Sequence, residues 1–98
     1  MKLLLVDDEP GLRQSLRLLL SDEGHKVVET GDGAAALARA AEESFDVILC
    51  DVRMARMDGL EFLRRYRAAG GGALVIMMSA YGSEDTAIAA MKEGAYDY

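Results

Sequence analysis

Apolar residues in this chain fall into short runs that alternate with stretches of helical period. Lys2 to Val6 is an apolar run closed by acids, the length of a buried strand. Pro10 to Glu23 carries Leu12, Leu16, Leu19 and Leu20 at i, i+4, i+7 and i+8, which predicts a helix with one apolar face. Pro10 suits the first helical turn, where its missing N–H costs nothing, and Gly24 suits the stop. Lys26 to Thr30 predicts a second strand and Gly31-Asp32-Gly33 a turn. Ala34 to Glu43 predicts an alanine-rich helix and Phe45 to Cys50 a third strand centred on Val47, Ile48 and Leu49. Asp58 to Ala69 predicts a third helix, opened by Asp58-Gly59-Leu60-Glu61 in the form of a capping box. Beyond Gly70-Gly71-Gly72, Ala73 to Ser79 reads as a fourth strand. Ser83 to Glu93 reads as a fourth helix, with Ser83 as N-cap and Glu84 and Asp85 in its first turn. Ala95 to Tyr98 opens a further element.

Alternation of this kind implies an α/β fold: a doubly wound parallel sheet with helices on both faces. Such sheets bind ligands beyond the carboxyl ends of their strands, where strand order reverses. The residues just after each strand are therefore where chemistry is expected.

Composition narrows the classes. At 98 residues the chain reads as one domain, residues 1–98. Hydrophobic content of 51% with 29% charged residues suits a globular fold, not a disordered one. No apolar run approaches the ~20 residues that span a bilayer. The apolar start Leu3-Leu4-Leu5-Val6 is cut short by Asp7, Asp8 and Glu9, too soon for a secretory signal. A net charge of −6 argues against direct binding of nucleic acid, a polyanion. A single cysteine, Cys50, excludes an internal disulfide and fits a cytoplasmic location.

Strand one ends in Asp7-Asp8, strand three in Asp51 and strand four in Ser79. If strands one, three and four lie side by side, three carboxylates and a hydroxyl share one crevice. Two unit charges at 4 Å repel by about 4 kcal/mol at an effective dielectric near 20. A fold tolerates this when a cation binds, and oxygen-only ligands suit Mg²⁺. Each residue also has a plain reading: Asp8-Glu9-Pro10 as a helix start, Asp51 as a turn residue. The joint placement at strand ends carries the functional reading.

Taken together, the motifs resemble the receiver domain of two-component response regulators. They are Leu4-Leu5-Val6-Asp7-Asp8-Glu9-Pro10, Asp46-Val47-Ile48-Leu49-Cys50-Asp51-Val52-Arg53-Met54, Met57-Asp58-Gly59, Met78-Ser79-Ala80-Tyr81 and Gly94-Ala95-Tyr96-Asp97-Tyr98. The resemblance implies a flavodoxin-like sheet of strand order 2-1-3-4(-5) and phosphorylation by a sensor histidine kinase. It implies Asp51 as phosphoacceptor and Asp8 and Asp7 as direct and water-bridged Mg²⁺ ligands, with Asp51 and the Arg53 backbone carbonyl completing the set. Ser79 would bond the phosphoryl group, and Tyr98 would be the switch aromatic that turns inward as the surface of helix four changes. Residues 77–83 and 90–98 resemble the nitrogen-regulatory type of transcriptional activator. Arg53 and Tyr81 stand where the family tunes phosphoaspartate hydrolysis, and their bulk predicts slow self-dephosphorylation. Catalysis is expected only of the chain's own phosphorylation and dephosphorylation.

Two departures stand out. Ala55 occupies the usual proline position of the Met-x-Met-Asp-Gly loop, which predicts a looser loop. The chain ends at Tyr98, before the family's lysine, fifth strand and fifth helix. A bared apolar edge would then invite a homodimer or a domain-swapped assembly.

Other readings are weaker. Gly31-Asp32-Gly33-Ala34-Ala35-Ala36 fits the dinucleotide pattern G-x-G-x-x-A, but Asp32 would sit beside the pyrophosphate. A haloacid-dehalogenase-type phosphatase needs an aspartate where Arg53 stands. A scaffold or dimerisation module is kept open mainly by the chain ending at Tyr98, with Gln14, Ser15 and Leu18 facing away from the apolar stripe of the first helix. His25 reads as a surface residue, Cys50 as a buried thiol, and Arg64, Arg65 and Arg67 as a solvated face.

Overall fold

A computed structural model describes residues 1–78 together with Met91, Lys92 and Ala95. The elements are β1 (Lys2–Val6), α1 (Pro10–Asp22), β2 (Lys26–Thr30), α2 (Gly33–Glu42), β3 (Val47–Asp51), α3 (Gly59–Ala68) and β4 (Leu74–Met78). They follow the expected order, with ends moved by one or two residues. Asp51 closes β3 instead of following it. The helix expected over 83–93 lies outside the described residues.

The strands form one parallel sheet of order β2-β1-β3-β4. The core lies on the face covered by α2 and α3. Leu4, Val6, Ile48, Cys50, Val75 and Met77 point into it from the strands and meet Ala36, Phe62, Leu63 and Tyr66 from the helices. Alternation along a strand sends Leu3 and Leu5 to the opposite face, where they are also buried.

The apolar face assigned to α1 needs correction. Leu16 and Leu20 are half-buried, but Leu12 and Leu19 are 50% and 61% exposed. Among the described residues α1 packs against β1 and β2, and only part of its apolar face is covered.

Local signals set the helix ends. The Glu9 carboxylate caps α1, accepting from the N–H groups of Gly11 and Leu12, and Pro10 occupies the first helical position. Gly24 ends that helix at φ +91°, a conformation open to glycine. Asp58 caps α3, accepting from the Glu61 N–H at 2.9 Å, which is the outward half of the expected capping box. Arg67 is not part of a solvated face. It donates to the carbonyls of Gly71 and Ala73 at 2.9 and 2.8 Å and lies over the Tyr66 ring. The Tyr66 hydroxyl in turn accepts from the Ala73 N–H, so the glycine link before β4 is clipped to α3.

Candidate functional site

The parallel register decides whether the acids meet. β1 and β3 are neighbours with Val6 opposite Cys50, so the chain leaves both strands at the same level. Asp7, Asp8 and Asp51 each place a carboxylate oxygen within 4.8 Å of the other two. Their exposure is graded: Asp7 is 1% exposed, Asp51 half-buried and Asp8 exposed. The crevice therefore has a buried acidic floor and an open mouth.

Backbone donors orient all three. Asp7 Oδ1 accepts from the Glu9 N–H at 2.9 Å and Asp51 Oδ1 from the Arg53 N–H at 3.2 Å. Asp8 Oδ2 accepts from the Ala55 N–H at 3.0 Å, which ties the end of β1 to the loop after β3. Position 55 thus has a working N–H, a donor that proline lacks. This tether runs against the looser loop expected from Ala55.

The site holds unbalanced negative charge. Burial raises the Asp51 carboxyl above its ordinary value, and the charges of Asp7 and Asp8 add to this, while the N–H groups of Arg53 and Val52 pull it down. Five basic side chains pair elsewhere: Arg13 and Arg17 with Glu29, Lys2 and Arg39 with Glu43, and Arg65 with Glu61. Three convergent carboxylates in an open crevice fit a hard divalent cation, which takes oxygen ligands and keeps waters.

Gly59 lets α3 approach this close. A Cβ there would lie 2.2 Å from the Asp51 carbonyl oxygen and 2.9 Å from Val52 Cα. Its N–H donates to the Val52 carbonyl at 2.8 Å, so the first turn of α3 rests on the end of β3. The role of Gly59 in packing was not legible from the capping pattern, and neither was the tether from Ala55 to Asp8.

The other residues sort readily. Ser79, Tyr81 and Tyr98 lie outside the described residues. Arg53 is exposed, two residues beyond Asp51. His25 sits at the other end of the sheet, its Nδ1 3.2 Å from the amino terminus of Met1. Cys50 is buried, and burial with the nearby carboxylates pushes its thiol far above the range in which thiolate forms. Met54 and Met57 pack against the core, Met77 is buried and Met78 half-buried, as packing residues should be. The dinucleotide pattern has a structural explanation. The Asp32 carboxylate accepts from the Ala35 N–H at 2.7 Å, filling the helix terminus a pyrophosphate would need. Gly33 makes room for Met57, whose sulfur lies 2.8 Å from where a Cβ would stand.

Known proteins place the chain. Residues 3–98 match the model of the response regulator receiver domain. The transcriptional regulatory protein ZraR of Klebsiella oxytoca is 42% identical over 96 residues, covering 98% of this chain and 22% of the relative. The chain thus spans about a fifth of the length of the curated relatives it matches. Their being transcriptional regulators agrees with the activator type read from the sequence. Among solved structures, the receiver domain of Francisella response regulator 1452 superposes with a TM-score of 0.93 at 30% identity, covering 99% of this chain and 80% of that one. A Burkholderia pseudomallei response regulator with a phosphorylated aspartic acid, calcium ion and citrate superposes with a TM-score of 0.92 at 27% identity, covering 99% of this chain and 57% of that one. Sequence, sheet order and strand-end acids agree, and the chain belongs to the response regulator receiver domain family.

Proposed function

We propose that the chain accepts a phosphoryl group on Asp51 from a sensor histidine kinase, and that this switches an output module controlling transcription. The observation that carries the reading is the convergence of Asp7, Asp8 and Asp51 at the ends of adjacent parallel strands. The Burkholderia relative, whose structure carries a phosphorylated aspartic acid and a calcium ion, supports it.

Asp7, Asp8, Asp51 and the Arg53 carbonyl would hold Mg²⁺. Bound there, the ion neutralises charge on the transferring phosphoryl group. Asp51 attacks phosphorus in line through a carboxylate oxygen; the P–N bond to the donor histidine breaks, and its electron pair returns to the imidazole. Asp51 needs no general base because it attacks ionised, which fits the absence of a histidine from the described site. The Arg53 N–H steadies the carboxylate during attack. Ser79 then bonds a phosphoryl oxygen, and Tyr98 turns inward to remodel the surface of helix four. The chain acts only on itself, and the bulk of Arg53 and Tyr81 slows the attack of water on the phosphoaspartate. With Leu74 45% exposed on β4, an edge strand of the described sheet, pairing with a second copy is part of the same proposal.

Incubation with a small phosphodonor and Mg²⁺, followed by intact mass, tests the central step. A single phosphoryl adduct in wild type that is lost in Asp51→Asn is expected. An adduct that persists in Asp51→Asn, or one that forms equally in excess chelator, sinks the reading.

A further inference from the structure

The strand end that carries Asp7 is gripped from three sides. Its N–H donates to the Thr30 carbonyl at 3.2 Å, which prolongs the β1–β2 ladder, and its carboxylate accepts from Glu9. Its carbonyl oxygen accepts from Arg13 Nη1, reaching across from α1, at 2.6 Å. The Arg13 Nε donates to Glu29 Oε1 on β2 at 3.1 Å, and Arg17 forms an ion pair with the other Glu29 oxygen at 2.7 Å. Gly31 completes the cradle, since a Cβ there would lie 3.0 Å from Arg13 Nη1.

From this arrangement we infer that Arg13 is a positioning residue for the cation site: through the Asp7 carbonyl it fixes the angle at which Asp7 and Asp8 leave β1. The inference rests on the cation site proposed above. Thr30 holds the peptide before Asp7 through its N–H and Arg13 holds the peptide after it through its carbonyl, so the backbone turn from which both carboxylates leave is restrained on each side of Asp7. A rigid planar guanidinium suits this task, because its Nη1 binds the carbonyl while its Nε binds Glu29 in one fixed plane. Arg13 bonds the Asp7 carbonyl and none of the three carboxylates, so it orients the acids without standing in for the cation they attract. Arg17 holds Glu29 but has no described bond to Asp7, and it serves as the internal control.

Mg²⁺ titration followed by amide chemical shifts, with thermal unfolding on the same samples, tests this. Arg13→Ala and Arg13→Met are expected to weaken Mg²⁺ binding about tenfold, the lower range for loss of a group that orients metal ligands. Arg13→Lys is expected to recover part of that loss, and Arg17→Ala to stay within about twofold of wild type. A residue that merely braces α1 would lower the unfolding temperature in both arginine variants and leave the Mg²⁺ affinity alone. Arg13→Met binding Mg²⁺ within twofold of wild type, or Arg17→Ala weakening it equally, overturns the positioning role. Wild type that fails to bind Mg²⁺ overturns the cation site itself, a distinct result.

Discussion

Asp51 is stabilised by what it binds and destabilised by where it stands. Its raised carboxyl means that, without a cation, the folded chain holds this proton more tightly than the unfolded chain does. Stability therefore falls as pH rises from the ordinary aspartate value through the raised one, and returns as pH falls. Asp51→Asn removes the charge and keeps the shape. In chelator at neutral pH it should unfold about 2–5 °C above wild type, a discounted figure for a half-exposed group. The gap should close as pH drops below the ordinary aspartate range. Thermal unfolding of both proteins across pH checks this, and a wild type more stable than the variant at neutral pH would contradict it.

At the scale of elements, the site is an agreement between β3 and α3. Two of the crowded glycines, Gly59 and Gly33, differ in what crowds them. Gly59 faces backbone, the Asp51 carbonyl oxygen and Val52 Cα, which cannot yield without moving β3. Gly33 faces the Met57 side chain, which can turn away. Gly59→Ala should therefore cost about 1–3 kcal/mol by overpacking and displace Asp51. Gly33→Ala should lie within about 1 kcal/mol of wild type, because helix propensity offsets the crowding. Denaturant melts of the two variants decide this; equal costs would show that the β3–α3 junction is softer than the distances imply. Helix α1 shows how far local pattern reaches. Its leucine spacing identified a helix correctly, but exposed Leu12 and Leu19 show that period alone does not say how much of a face is covered.

For the whole molecule, a net charge of −6 with three acids in one crevice predicts that an added divalent cation stabilises the fold. Mg²⁺ at roughly ten times its Kd should add about 1.4 kcal/mol, by binding the folded chain alone. For a domain of this size that raises the unfolding temperature by about 6–11 °C. Sodium chloride at matched ionic strength should not reproduce the rise, and Asp7→Asn should abolish most of it. A matching shift with sodium would mean general charge screening and no specific site.

Much of this molecule was legible from one line of residues. The alternation of apolar runs with helical periods set the order of elements, and turn and cap residues marked their ends, because both signals act over a few neighbouring positions. Asp7, Asp8 and Asp51 stood out because each closes an apolar strand. What local pattern does not contain is which strands pair and at what register. The β1–β3 pairing joins segments separated by α1, β2 and α2, and only that pairing turns scattered acids into a pocket. The same holds for Arg13 reaching the Asp7 carbonyl, Ala55 tethering Asp8, and Gly59 admitting α3 to the end of β3. Each joins elements through space, so tertiary packing alone decided them.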